Sequence, residues 1–283
     1  MTLPAPILTS TPLVWREHGA ARGLRQIPEE TAVALTYGRA TYAVMMATPA
    51  DLEDFAWGFT RNEGLITAAD EITACDIVAR EIDGEAAIEL RLDLMGVCEE
   101  ALWRRQRRLL GATGCGLCGM ESLEAALAPL PAIVSDLQFD AVTLATAMAG
   151  LGARQTLNQQ THALHAAAFF APGRGIVAVR EDVGRHNALD KLAGGLLRAG
   201  IAPASGAVLL TSRVSVEMVQ KIARMGCAIV LAVSAPTGLA IRRAERCGIT
   251  LAAIARADGF EIFTHPARIV IEREAHVPEN HVA

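Results

Sequence analysis

The sequence predicts an α/β protein in two parts, a larger C-terminal α/β domain and a smaller N-terminal α+β domain of hairpins and helices. Three observations predict it. Apolar runs near residues 165–171, 176–181, 206–211, 227–233 and 249–255 alternate with helical patterns near 187–199, 215–225 and 238–247, as in a sheet with mostly crossover connections. Upstream, two pairs of alternating runs flank turn dipeptides and read as hairpins. Between the two patterns, Pro129, Pro131 and Ser135-Asp136 mark a joint. The expected parts are therefore an irregular segment at 1–30, the smaller domain at 31–134, the larger domain at 135–272, and a flexible tail at 273–283.

Taken in order, Pro4, Pro6, Pro12 and Pro28 keep the first thirty residues irregular. Residues 31–37 and 40–46 form a hairpin turning at Gly38-Arg39. Thr48-Pro49-Ala50-Asp51 reads as a capping box with Pro at the first helical position, opening a helix to about Asn62 that Gly64 stops. Residues 72–80 and 86–94 make a second hairpin around Asp83-Gly84, and strict alternation from Ile88 to Leu94 predicts one solvated face. A helix at roughly 98–110 carries Arg104, Arg105, Arg107 and Arg108, a cysteine loop follows, and a short helix spans about 121–128. Asp140 caps a helix to about Gly152. In the larger part, Asn187 is the expected cap of the 187–199 helix, with Gly184, Arg185 and His186 just ahead of it.

At 283 residues, 52% hydrophobic and 20% charged, the chain is long enough for a sizeable core. A net charge of −5 argues against general attraction to nucleic acid or membranes. The N-terminus lacks the basic start and apolar stretch of a secretory leader, and no run reaches membrane-spanning length, so a cytoplasmic protein is expected. In that compartment six cysteines do not imply a disulfide framework, and Cys227 and Cys247 read as buried apolar residues. Arginine dominates the basic residues; Lys191 and Lys221 are the only lysines.

The most specific local feature is Gly114-Cys115-Gly116-Leu117-Cys118-Gly119. Glycines free the backbone, and nearby arginines favour the reactive thiolate. A zinc site would need two further ligands, and no second pair exists. A thioredoxin-like pair would follow a strand and open a helix. A third reading is sulfur transfer, in which a thiolate takes the outer sulfur of a donor persulfide and passes it on. In the larger domain, polar residues gather where strands end and helices begin, the place where open α/β sheets bind ligands. These are Thr161-His162-Ala163-Leu164-His165, Glu181 to Lys191, Thr211 to Lys221, and Ser234 to Thr237. His162 reads as an ordinary turn residue. Arg185 and Arg213 beside helix starts suit a phosphate.

Together these segments resemble the FdhD/NarQ family of formate dehydrogenase accessory sulfurtransferases, over about residues 30–270. Glu181-Asp182-Val183-Gly184-Arg185-His186-Asn187 is the most specific of them. The resemblance implies a sulfurtransferase with Cys115 as persulfide carrier and Cys118 as its companion. It implies a cytidine deaminase-like larger domain that binds the molybdenum bis-molybdopterin guanine dinucleotide cofactor, or its tungsten form. The implied cofactor-binding residues are His165, Asp182, Gly184, Arg185, His186, Asn187, Asp190, Lys191, Ser212, Arg213, Ser234, Ile254, Ala255, Arg256, Ala257, Asp258 and Gly259, with no metal ligated by the protein. Implied partners are a cysteine desulfurase and the formate dehydrogenase apoenzyme, and the resemblance also implies a homodimer. Two departures from the family pattern are His162-Ala163, where many members have two glycines, and Ser212, often a glycine. A zinc deaminase is excluded, because His165 is followed by Ala166-Ala167 and the cysteine pair precedes it. The alternative is a non-enzymatic chaperone that holds the cofactor for its apoenzyme.

Overall fold

The computed structural model describes residues 2–96 and 129–271. The expected helices at 98–110 and 121–128, the cysteine loop and the tail at 273–283 lie outside the described residues.

The first thirty residues are not irregular. β1 (Ile7–Ser10) pairs antiparallel with β4 (Arg25–Pro28), and β2 (Leu13–Arg16) with β3 (Gly19–Arg22). The prolines permit these ribbons because none interrupts a ladder: Pro6 and Pro12 flank β1, and Pro28 is the terminal residue of β4, paired with Ile7. These ribbons leave Leu13, Trp15 and Leu24 exposed.

The smaller lobe is a four-stranded sheet covered by one helix. β5 (Thr31–Tyr37) and β6 (Ala40–Ala47) form the first hairpin, and β7 (Ile72–Ile82) and β8 (Glu85–Leu94) the second. Asp83 and Gly84, both at positive φ, make the tight turn. The order is β6-β5-β8-β7, joined at the centre by a parallel β5–β8 pair. The alternation of β8 holds: Ile88, Leu90 and Leu92 are buried while Arg91 and Asp93 face out. α1 (Leu52–Asn62) lays Leu52, Phe55 and Phe59 on the Leu35–Leu90 core. Its start differs from the expected capping box. Asp51 is the N-cap residue, in a left-handed conformation with no side-chain cap bond, and the Thr48 hydroxyl accepts from Val183 N instead (3.1 Å).

The larger lobe begins with β9 (Phe139–Asp140) and α2 (Ala141–Leu151), whose first turn is capped as expected by Asp140 Oδ1 accepting from Thr143 N (2.9 Å). A short helix α3 (Asn158–Thr161) follows. Then come β10 (His165–Ala171), β11 (Gly175–Asp182), α4 (Arg185–Arg198), β12 (Ala207–Leu210), α5 (Val216–Met225), β13 (Ile229–Ala232), α6 (Gly238–Cys247), β14 (Thr250–Arg256), β15 (Gly259–Ile262) and β16 (Ile269–Val270). The six-stranded sheet has the order β11-β10-β12-β13-β14-β15, parallel across β12–β13–β14 and antiparallel at either side. Every residue of β12 and β13 is buried, because helices cover both faces and leave no solvated side. One core lies under α4, α5 and α6 around Leu189, Met218 and Ile222; the other lies under α2 around Leu144 and Leu209. α4 starts two residues before the expected cap, with Gly184 at the N-cap and Asn187 already inside the first turn.

The lobes meet along α1 and α4, and glycine lets the two backbones touch. A Cβ on Gly58 would sit 1.7 Å from Asp190 O, and one on Gly194 would sit 1.9 Å from Asp54 O. Asp54 accepts from Arg180 Nε (2.7 Å) and Arg198 Nη1 (2.6 Å), Arg198 also reaches Glu53, and Arg224 donates to Asn62 O.

Candidate functional site

Sheet topology brings the predicted motifs together. Because β10 runs antiparallel to β11 and β12, its start at His165 lies at the same edge as the ends of β11, β12, β13 and β14. Local hydrogen bonds then lace these ends into one rim. Ala166 N donates to Thr211 Oγ1 (2.8 Å), and Thr211 N to Ala166 O (3.1 Å), which sets His165 beside the Thr211–Arg213 turn. Val214 N donates to Ala235 O (3.4 Å), and Thr237 N to Val214 O (3.0 Å), so the loops after β12 and β13 run side by side. Ser212, Arg213 and Ser234 thus share the rim; Ser212 is buried and Arg213 exposed. Arg256 Nη1 donates to Val233 O (2.6 Å) and draws in the end of β14. There Ile254 is held at φ 55° within a bulge, a strained conformation for a β-branched residue. Ala255 is buried, whereas Ala257 and Asp258 are exposed, ahead of Gly259 at the start of β15.

Behind the rim, four predicted residues face the other lobe. Asp182 and Lys191 are both 0% exposed and form an ion pair, Nζ to Oδ2, of 2.6 Å. Lys191 Nζ also donates to Thr48 O (2.8 Å), while Thr48 N donates to Asp182 Oδ2 (3.0 Å). One residue of the smaller lobe therefore has both backbone polar groups matched by this pair. Asp182 Oδ1 accepts from Gly184 N (2.7 Å) and from Asn187 Nδ2 (3.0 Å), and Asn187 Nδ2 also donates to Met46 O (2.8 Å). Asp190 accepts from Asn62 Nδ2 (2.6 Å) and from Lys221 Nζ at 2.7 and 2.8 Å. These polar atoms hold the lobes together, and what they offer the rim is position.

Arg185 and His186 differ. Arg185 Nε and both ring nitrogens of His186 are buried without a hydrogen-bond partner among the described residues. Burial, then the charges of Lys221 and Arg185 and the nearby His165, push the His186 imidazole down to about 3, so it is neutral near pH 7. His165 is lowered in the same direction, by burial first and by Arg185 next. Orphaned polar atoms at strand ends beside a helix N-terminus form a cradle for a polar, anionic ligand.

The sequence marks Thr48 as a helix cap and Asn62 as a helix end, and assigns no place at the site to Thr48, Asn62 or Glu217. Thr48 and Asn62 act across the lobe boundary, which no local pattern reveals. Glu217 lies within a motif that was already singled out, and its burial is what sets it apart. Glu181, also buried, accepts from Leu157 N (3.0 Å) and Asn158 N (2.8 Å) and so anchors the start of α3. His162 is exposed and ends α3 in a left-handed conformation, φ 55°, as a turn residue.

Cys115 and Cys118 lie outside the described residues. Cys227 and Cys247 are buried as expected. Burial pushes the Cys227 thiol up to about 11, and the half-buried Cys75 likewise to about 11, so neither supplies a thiolate at neutral pH. Among the described residues no group of three or more His, Cys, Asp or Glu is placed to hold a metal ion, and no helix is long and apolar enough to cross a membrane. At the opposite edge of the sheet, a cleft of about 700 Å³ lies between Ser135, Glu245, His265 and Arg268. Its polar groups are already used: Arg268 donates to Ser135 O and Gly248 O, and the His265 ring is bonded to Glu245 O.

Comparison with known proteins places this geometry among relatives. A family model described as the FdhD/NarQ family matches residues 28–270. The "Sulfur carrier protein FdhD" of Agrobacterium fabrum is 48% identical over 257 residues, covering 90% of this chain and 93% of the relative. The protein of that name from Cupriavidus necator is 47% identical over 256 residues, covering 90% and 87%. The crystal structure of a protein from Desulfotalea psychrophila assigned as a formate dehydrogenase accessory protein superposes with a TM-score of 0.71 at 25% identity, over 93% of this chain and 99% of the other.

Proposed function

The chain belongs to the FdhD/NarQ family, and from that premise we propose that it is a cytoplasmic sulfurtransferase serving formate dehydrogenase. It takes sulfur from a cysteine desulfurase as a persulfide on Cys115, with Cys118 as companion thiol. It hands that sulfur to the molybdenum (or tungsten) bis-molybdopterin guanine dinucleotide, its acceptor substrate, before the cofactor enters the apoenzyme. The observation that carries the reading is the glycine-flanked thiol pair at 114–119 downstream of four arginines, in a chain whose relatives are named sulfur carriers.

The chemistry needs only sulfur exchange. The Cys115 thiolate attacks the outer sulfur of the desulfurase persulfide; a new S–S bond forms, the old one breaks, and the desulfurase thiolate leaves. In the second step an electron pair of the acceptor attacks the outer sulfur, the S–S bond on Cys115 breaks, and its electrons leave with Cys115 as thiolate, so the acceptor is oxidised by two electrons as the sulfur is reduced to the sulfide level.

The acceptor's phosphates fit the strand-end rim, which has a cationic side and unmet polar atoms. Arg185 and Arg213 supply charge, and the α4 and α5 N-termini supply N–H groups. Ser212, Ser234 and residues 254–259 line the same edge, with His165 and His186 beside them. A Cβ on Gly184 would sit 2.8 Å from Asn187 Nδ2, so glycine leaves that amide room at the start of α4. Asp182, Asn187, Asp190 and Lys191 support this surface from behind, since their polar atoms are engaged with Thr48, Met46, Asn62 and Lys221. We read the larger lobe as cytidine deaminase-like and the working unit as a homodimer.

Intact-protein mass spectrometry after incubation with a cysteine desulfurase and cysteine tests the function. The expected result is a gain of one sulfur atom that maps to Cys115 and disappears in Cys115→Ala, which also yields inactive formate dehydrogenase. Full formate dehydrogenase activity with both thiols removed would instead establish a chaperone that transfers nothing.

A further inference from the structure

Glu217 lies on the first turn of α5 and is only 8% exposed. The helix dipole favours a carboxylate there, which explains its position but not its burial. Its natural partner is Lys221, one turn on, at the spacing where opposite charges pair on a helix. Lys221 is turned away and grips both oxygens of Asp190, at 2.7 and 2.8 Å. Among the described residues Glu217 Oε2 keeps only the Ser215 hydroxyl, at 2.6 Å. The neighbouring His186 Nε2 stands 3.8 Å off, beyond hydrogen-bond reach, and both nitrogens of that ring lack a partner among the described residues although the residue is only 9% exposed. A buried carboxylate and a buried imidazole side by side, the first with no cation and the second with no partner among the described residues, lower stability unless something completes them. Both stand at the strand-end rim.

We propose that Glu217 is a specificity-determining residue that reads a ligand edge carrying two adjacent N–H donors, the N1–H and 2-amino groups of a guanine, with His186 supplying the adjoining polar contact. This rests on the reading of the rim as a guanine-nucleotide site. An ionised carboxylate only accepts hydrogen bonds. Guanine's edge presents two donors to it. Adenine presents a lone pair at N1 and a C–H at position 2, so its edge opposes the carboxylate. Hypoxanthine keeps the N1–H but lacks the amino group and forfeits one bond. The Ser215 hydroxyl, bonded to one oxygen, holds the carboxylate in orientation for this contact.

Calorimetric titration of the full chain with GDP, IDP and ADP decides the matter. Wild type should bind GDP about tenfold or more tightly than IDP, the difference one charge-assisted hydrogen bond supplies, and ADP more weakly than either. Glu217→Gln, checked for folding by its thermal melt, should lose most of the GDP-over-IDP preference, because its amide N–H faces the 2-amino group. Glu217→Asp should keep part of it. Equal binding of GDP and IDP by wild type, or an unchanged ratio in Glu217→Gln, overturns the role of Glu217 while leaving a nucleotide site in place. No binding of any nucleotide by wild type removes the guanine site and this inference with it.

Discussion

Single residues behind the rim work harder as structure than their chemistry suggests. Lys191 is the clearest case: a fully buried ammonium whose partners, Asp182 and Thr48 O, lie in two lobes. Removing one member of a buried pair strands the other. Lys191→Met should therefore lower folding stability by about 3–5 kcal/mol in urea titrations. Arg213, exposed on the rim, should behave oppositely: Arg213→Ala should weaken GDP binding several-fold in calorimetry and leave the melt nearly unchanged. His186 carries a pH dependence whose sign follows from its environment. Burial and cationic neighbours hold its folded-state value near 3, below the ordinary 6.5. Between those values the unfolded chain binds a proton that the folded chain refuses. Its contribution is therefore constant above about pH 6.5 and is lost as the pH falls below it, with a slope of up to about 1.4 kcal/mol per pH unit for one proton. Urea unfolding at about pH 7 and pH 5.5 should show the loss, and His186→Gln should flatten it, leaving the smaller share of His165. The motifs at this scale were legible in the sequence, because Arg, His, two acids and Lys crowd into one turn and helix start. Which of them engage the neighbouring lobe was not, since Thr48 and Asn62 are more than a hundred residues away from their partners.

Elements were placed well wherever local pattern decides and misplaced where a distant contact does. The strands and helices of the sheet agree with the apolar periodicity, and Asp140 caps α2 as its position predicts. The start of α1 and the start of α4 both moved, for one reason. Thr48 and Asn187 are good caps in isolation, but each is drawn across the boundary, Thr48 to Val183 N and Asn187 to Met46 O. The α1–α4 crossing depends on two glycines whose missing side chains admit the facing backbone. Gly194→Ala would put a methyl 1.9 Å from Asp54 O, so the helices must part. The expected loss is about 3 kcal/mol or more, read from chemical denaturation, well beyond the usual helix gain of alanine over glycine. In the sequence these glycines look like helix weaknesses; only the crossing gives them a purpose.

The molecule as a whole is two cores joined by a charged seam. Buried carboxylates at Asp54, Asp182 and Asp190 meet Arg180, Arg198, Lys191 and Lys221 along it. Lobes joined this way should unfold together. Scanning calorimetry of wild type should give one transition with matching calorimetric and van't Hoff enthalpies. Lys191→Met should broaden or split it, and a single sharp transition in that variant would show that the seam does not couple the cores. The division into two architectures could be read from the change in periodicity, but their docking could not, because every contact that makes it joins residues far apart in the chain.

The scarcity of lysine has a practical corollary. Of the two in the chain, Lys191 is sealed inside the protein and Lys221 has 13% of its side chain exposed and is clasped by Asp190. Amine-directed reagents therefore find little purchase on the lysines of the native fold. An activated ester should leave both untouched in native protein, while guanidine-denatured protein should take up a label on each.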